Sequence, residues 1–201
     1  VGDDATVRLW DFASRRLVRK TKLPCLARSV TFTPDGSKLA IGLGGRTYGP
    51  RLRKDGAFLV LATNDLTLIH EGRDSKEYIT DIRYTPDGLT LGVASRDSKI
   101  YLYDVSNNYA LRGTFDRHTA AVTHFDFSTD SQYMQSNCGA YEYLLADTMK
   151  GVHIPATNSL KDCEWATWTC ALGWPVQGVW PSLADGTHIA AVDRSHNKQL
   201  V

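Results

Sequence analysis

Long apolar runs are missing from this 201-residue chain. Its longest wholly apolar stretches, such as Ala57–Ala62, run about six residues, against the roughly 20 that a helix needs to cross a bilayer. The residues after Val1 lack the basic start and apolar run of a signal peptide. Cysteine is scarce: four, at 25, 138, 163 and 170, form neither a Cys-x-x-Cys pair nor a dense framework, so reduced, buried thiols in a cytoplasmic protein are expected. Sixteen Gly and seven Pro, spread along the chain, exclude long helices and a coiled coil. A Gly-x-Ser-x-Gly elbow, a Walker phosphate loop and a dinucleotide glycine fingerprint are also absent, and Gly42-Leu-Gly-Gly45 is short and runs into a loop. His118 and His124 lack a third ligand at metal spacing, and His188 and His196 with Cys170 form no recognised metal pattern. Neither catalysis nor a cofactor nor a metal is expected. The 42% hydrophobic and 22% charged composition is that of a folded soluble chain, which sets membrane, secreted and disordered classes aside.

Charge is balanced only in total. Residues 1–54 hold 12 of the 23 Lys and Arg and four acids, a net +8, while the other 147 residues carry −7. Such asymmetry points to an acidic partner rather than to a fold.

What the chain does contain is a repeat. Val30-Thr-Phe-Thr-Pro-Asp-Gly-Ser-Lys-Leu39, Ile82-Arg-Tyr-Thr-Pro-Asp-Gly-Leu-Thr-Leu91 and His124-Phe-Asp-Phe-Ser-Thr-Asp-Ser-Gln-Tyr133 each join two alternating strands through an Asp-centred turn. Pro presets φ at the first corner and Gly accepts positive φ after Asp, so each phrase predicts a β-hairpin. A second phrase follows. Asp4-Ala-Thr-Val-Arg-Leu-Trp-Asp11 matches Asp97-Ser-Lys-Ile-Tyr-Leu-Tyr-Asp104 throughout; Asp55–Ala62 keeps the leading Asp, and Ala140–Asp147 only the closing one. The closing positions 11, 62, 104 and 147 lie 51, 42 and 43 residues apart, the first interval carrying an insertion at Gly44–Lys54. Four short strands at this period predict an all-β fold of β-propeller blades.

Leu9-Trp10-Asp11 and Leu102-Tyr103-Asp104 make the chain resemble the WD40 family. That resemblance implies blades locked by a His–Asp–Ser/Thr–Trp network, with Asp4, Asp55 and Asp97 at the Asp position, Trp10 at the Trp and His118 at the His. No blade has all four, and these residues are expected to fix turns and strands rather than to bind a ligand. The expected units are the end of a blade over 1–23, blades over 24–72, 73–115 and 116–160, and the start of a further blade over 161–201. Known propellers close with about 4–8 blades. The expectation is therefore an open arc of a larger propeller that does not unfold as one cooperative unit alone.

The stretch that breaks the period is Trp-rich. Four of the five Trp fall between Cys163 and Pro181; Trp165–Thr169 alternates like a strand, and Gly173, Pro175, Gly178 and Pro181 interrupt the rest. Such a cluster could serve as a stacking platform or as a plug packed between blades, and the plug is expected. From Trp165 to Pro181 the chain is similar to the echinoderm microtubule-associated protein-like (EMAP-like) family, whose phrase W-A-[TS]-W-T-x-x-L-G-x-x-V-x-G-[VI]-W-P takes in Trp165, Trp168, Gly173, Gly178, Trp180 and Pro181. Further matches are Asp185–His196, Gly2–Asp11, Arg28-Ser-Val30 and Gly139-Ala-Tyr141. The resemblance covers essentially the whole chain. It implies later blades of a second propeller in a protein that binds microtubules or tubulin in the cytoskeleton, cilium or spindle, and that oligomerises through an N-terminal coiled coil not found in these residues.

Tubulin carries glutamate-rich tails, so cationic surfaces are the candidate contacts. One is Arg15, Arg16, Arg19, Lys20 and Lys22 on or beside an outer strand, where charge also prevents edge-to-edge pairing. The other is the insertion, with Arg46, Arg51, Arg53 and Lys54, longer than the family's usual connection and as compatible with a harmless loop as with a contact. The leading expectation is a non-catalytic module that binds tubulin or microtubules. The alternative is a WD40 scaffold in a ciliary, signalling or ubiquitin-ligase assembly without direct tubulin contact. Nucleic-acid binding is disfavoured by the −7 remainder and by the lack of aromatics interleaved with the basic residues. A propeller enzyme ranks last, for want of convergent polar groups.

Overall fold

The computed structural model describes residues 1–45, 54–180, 189–195, 197 and 199–201. The chain folds as a succession of antiparallel meanders. Strands β1 (Thr6–Asp11) and β2 (Arg16–Lys22) form a two-stranded sheet. Three four-stranded sheets follow in chain order: β3 (Ala27–Phe32), β4 (Lys38–Leu43), β5 (Ala57–Ala62) and β6 (Leu68–Arg73); β7 (Ile79–Tyr84), β8 (Thr90–Ser95), β9 (Ile100–Asp104) and β10 (Ala110–Phe115); β11 (Val122–Phe127), β12 (Tyr133–Cys138), β13 (Tyr143–Asp147) and β14 (His153–Ile154). These are blade-like sheets in an open arc, an all-β partial propeller.

Turn chemistry closes the hairpins. Thr33, Thr85 and Ser128 donate their hydroxyls to Asp35, Asp87 and Asp130 at 2.5, 2.6 and 2.5 Å. The same hydroxyls accept the backbone N–H of Lys38, Thr90 and Tyr133. Each carboxylate in turn accepts one backbone N–H, from Ser37, Leu89 and Gln132. Gly36 and Gly88 take φ of 71° and 73°, and Ser131 takes 64° at the matching corner. The hydroxyl of Ser131 accepts the N–H of Asp87 at 3.1 Å, which ties the turn of one sheet to the next.

The core lies between sheets. β4, β5, β8 and β9 are buried on both faces almost throughout, whereas β2 and β6, on the outer edges, are largely exposed. Val7 and Leu9 of β1 pack on Ile41, Leu43 and Leu59; Ala40 and Phe58 on Ile82 and Tyr103; Leu102 and Phe115 on Phe125 and Met134; and Leu145 on Trp165. First strands are neighbours around the arc, β3 beside β7 and β7 beside β11. Close approach needs small residues: a Cβ on Gly42 would stand 2.4 Å from Ile79 Cγ2, and one on Gly92 2.6 Å from Phe125 Cε2. The register slips at one equivalent place in each sheet, between Ala27 and Ser29, Ile79 and Asp81, and Val122 and His124. Bulges of this kind re-aim side chains.

The alternation at Trp165–Thr169 does not make a strand. One isolated bridge joins Trp165 to Ser128, and Trp168 turns to φ 58°. The N–H groups of Thr167 and Trp168 go to the Asp126 carboxylate at 3.0 and 2.7 Å, so they are not free for a ladder. Among the described residues beyond 160, regular structure is limited to a 3-10 turn over Trp174–Val179.

Candidate interaction surfaces and the groups that fix them

The first cationic cluster lies open to solvent. Arg15 and, on β2, Arg16, Arg19, Lys20 and Lys22 are all exposed. β1 pairs with one edge of β2 only, so these charges line the sheet's outer border, with Asp65 the acid that senses Arg19. Apolar neighbours share the surface: Trp10 is 60% exposed and Phe12 97%. Of the second cluster, Arg46, Arg51 and Arg53 lie outside the described residues. Lys54 is half-buried and ion-paired to Glu71, so its charge is engaged within its own sheet.

The lock positions differ from sheet to sheet. Asp4 is exposed and accepts from Arg8 and from the Thr6 hydroxyl; the Arg8 guanidinium leads the groups that hold its pKa near 2. Asp55 is buried at the turn into β5, where Gly44, at φ 103°, leaves it room. Asp97 is the acid of a compact set. It accepts from Ser75 at 2.9 Å and from the Tyr101 hydroxyl at 2.8 Å, while Ser75 Oγ lies 2.6 Å from Ser95 Oγ. In the β11–β14 sheet, His118 Nε2 lies 2.7 Å from Ser136 Oγ and His118 Nδ1 lies 3.2 Å from Glu142. Glu142 is thus the acid that this sheet had been read as lacking. It stands two residues past the aligned position, and its longer side chain makes up the difference.

The Trp-rich phrase docks on the β11–β14 sheet through two residues that sequence reasoning passed over. Asp126, fully buried, receives the N–H groups of Phe127, Thr167 and Trp168. Burial pushes its pKa up, against the N–H bonds from Thr167. Asn137 accepts the Leu172 N–H at 2.9 Å and donates to the Leu172 carbonyl at 3.3 Å. Trp165 is buried; Trp174 and Trp180 donate their indole N–H to the carbonyls of Thr157 and Ala171. The Arg194 guanidinium lies 3.8 Å from the Trp168 ring centroid. Gly173, at φ 137°, sits against Tyr143, Gly178 faces open space, and Pro181 lies outside the described residues, as do 185–188 and His196 of the further match. A signal for Asp126 was present: an acid at an inward, strand-interior position with apolar neighbours on either side.

Beside the phrase, Arg28, Thr80, Asp81, Arg83, His124 and Thr169 line a polar recess of about 340 Å³ over the first strands. Arg83 donates to Asp81 at 3.0 Å and to the Thr167 hydroxyl at 3.1 Å. Burial raises the Asp81 pKa against the pull of Arg83, and burial lowers that of His124. Asp81, Arg83 and Thr167 thus engage one another, which is an arrangement that holds strands in place.

A family model described as the echinoderm microtubule-associated protein second beta-propeller matches residues 1–201. Among curated relatives, the human echinoderm microtubule-associated protein-like 3 is 37% identical over 204 residues, which takes in 100% of this chain and 22% of the relative. Echinoderm microtubule-associated protein-like 1 of Rattus norvegicus is 38% identical, over 100% of this chain and 24% of the relative. The 77 kDa echinoderm microtubule-associated protein of Strongylocentrotus purpuratus is 37% identical over 203 residues, 100% of this chain and 28% of the relative. The chain thus spans about a quarter of the length of these relatives. With its blade-like sheets and the Trp-rich phrase seated on the last of them, it belongs to the echinoderm microtubule-associated protein family and corresponds to that family's second propeller.

Proposed function

We propose that this arc is a non-catalytic protein-interaction platform of a cytoplasmic, cytoskeletal protein, and that it contributes to binding tubulin or microtubules. The supporting observation is the exposed cationic border of β2, with Arg15 in the turn before the edge strand and Arg16, Arg19, Lys20 and Lys22 on it. Tubulin presents acidic tails to such a border, and the relatives are named as microtubule-associated. Exposed cations act by steering and screened attraction, so the contact weakens with salt. Arg46, Arg51 and Arg53 extend the proposal to the inserted loop. Blades over 24–72, 73–115 and 116–160 are the proposed units of the platform.

The test is co-sedimentation of the full-length parent with intact and tail-trimmed microtubules over a salt series. Salt-sensitive pelleting that falls on trimming, and falls again when the five β2-border cations are changed to Glu, is expected. Pelleting indifferent to all three manipulations overturns the tail contact. Absence of pelleting at low salt moves the reading to a scaffold for other cytoskeletal or ciliary proteins.

A further inference from the structure

The lock positions of two neighbouring sheets compare directly through their registers. Ile79 pairs with Ser95 and Val122 with Cys138, so Ser95 and Cys138 are equivalent. Ser75 and His118 each stand four residues before those first-strand partners. Where the β7–β10 sheet has two serines and Asp97, the β11–β14 sheet has an imidazole, a thiol and Glu142. Serines and an aspartate suffice for a lock, as Ser75, Ser95 and Asp97 do; exchange of both serines for metal-ligating groups is a separate chemical fact.

Those three groups already converge. Glu142 Oε2 lies 3.0 Å from Cys138 Sγ and 3.2 Å from His118 Nδ1, and all three ligand atoms fall within 4.8 Å of one another. Around zinc, bonds of about 2.0 Å to nitrogen and oxygen and 2.3 Å to sulfur give tetrahedral edges of about 3.3–3.6 Å. Each ligand also has an outer partner. Thr119 holds the carboxylate through its N–H at 2.9 Å and its hydroxyl at 2.7 Å. Cys138 Sγ accepts the Ala140 N–H at 3.4 Å. Ser136 Oγ lies 2.7 Å from His118 Nε2 and 3.4 Å from the Leu144 carbonyl. Ser136 can therefore donate to Leu144 and accept from Nε2–H, the tautomer that leaves the Nδ1 lone pair for a metal. The His118 side chain is fully covered, Cys138 is 4% exposed and the Glu142 side chain 26%, so solvent reaches the cluster past the carboxylate.

We propose that His118 Nδ1, Cys138 Sγ and Glu142 Oε2 form a site for one divalent transition ion, zinc by the chemistry of its donors, with a fourth position open to solvent. Thiolate, carboxylate and neutral imidazole balance a 2+ charge and suit a borderline-soft ion. On loading, the thiol proton passes to solvent, the imidazole proton resides on Nε2, and three metal–ligand bonds replace the hydrogen bonds of Cys138 and His118 to Oε2, while that from the Thr119 N–H remains. Sequence spacing concealed the site, because its ligands lie 20 and four residues apart on a loop, a strand end and a turn.

Cobalt titration of the full-length parent tests this, read by the thiolate-to-cobalt charge-transfer band, with zinc as the competitor. The expected result is a band that zinc displaces, that is lost in Cys138→Ser and retained in Cys163→Ser. Cys138→Ser restores the residue type at Ser95 and is expected to keep the fold, checked by circular dichroism. In Glu142→Gln, which retains an acceptor for Thr119, affinity should fall at least about 10-fold. No band in the wild type, a band that survives Cys138→Ser, or equal affinity in wild type and Glu142→Gln overturns the site. Should Cys138→Ser unfold, His118→Gln replaces it under the same criteria.

Discussion

His124 sits at the end of a register slip on β11, half-buried beside Asp81 and Arg83. Burial is the largest influence on its imidazole and pushes its pKa below the ordinary value, outweighing Asp81. The folded chain therefore prefers the neutral ring, while the unfolded chain takes up a proton near pH 6.5. That contribution is present above about pH 6.5 and is lost as pH falls toward the folded value, by at most about 1.4 kcal/mol per pH unit. Asp81 and Asp126, raised by burial, have the opposite sign: their contribution is lost as pH rises through the folded values. Comparing His124→Gln with wild type leaves the acids in both proteins. The variant should gain on wild type in urea midpoint between pH 7.5 and 5.5, and a constant difference would show that His124 is not the titrating group. Individual residues were unevenly legible. The hydroxyl and Asp of each hairpin turn act within a few positions of each other, so local sequence declared them. Glu142 escaped because it stands two residues off the repeat, and Asp126 because its partners, Thr167 and Trp168, lie 41 and 42 residues away.

Elements follow the same division. Hairpins were readable because Thr-Pro-Asp-Gly encodes its own turn, and their period gave the sheets. Register slips were not readable, since the side chains they re-aim are chosen by neighbouring sheets. Nor was the fate of Trp165–Thr169: its alternation is real, but its N–H groups are captured by a carboxylate on β11. Glycines show the contrast most sharply. Gly92 stands in the middle of β8, where a Cβ would lie 2.6 Å from Phe125 and 2.8 Å from Phe127. Both rings are fully buried and fixed edge to face, with centroids 5.4 Å apart. Gly92→Ala should therefore force the β7–β10 and β11–β14 sheets apart and cost about 1–3 kcal/mol. Gly178 belongs to the family phrase, yet a Cβ there would meet nothing within 4 Å, and its φ is not positive. Gly178→Ala should stay within about 0.5 kcal/mol of wild type. Equal losses in chemical denaturation would mean that the sheet-to-sheet approach at Gly92 is more yielding than its geometry implies.

At the scale of the molecule, each sheet covers its neighbour and little else, so stability is a sum of sheet terms and nearest-neighbour interfaces. The β7–β10 sheet is covered on both faces, by Ala40 and Phe58 on one side and by Phe125 and Met134 on the other. β1 and β2 have one covered face; the cross-strand partners Trp10 and Leu17 are 60% and 43% exposed, Val18 at the register slip 57%, and Phe12 in the turn 97%. Within the 201-residue chain the two ends should therefore open at lower free energy than the middle. Amides of β8 and β9 should exchange slowest, and those of β1 and β2 at least about 100-fold faster, a gap of roughly 2.7 kcal/mol in opening free energy. Tryptophan fluorescence offers an independent probe, since four of the five Trp lie between residues 165 and 180 and Trp10 is already exposed. Its thermal transition reports the docking of the Trp-rich phrase on Asp126 and Asn137, whereas far-ultraviolet circular dichroism reports all the sheets. The fluorescence midpoint should fall below the dichroism midpoint, because the docked segment rests on one sheet while the middle sheet rests on two. Coincident transitions, together with uniform exchange from β1 to β13, would make the arc a single cooperative unit and overturn the nearest-neighbour account.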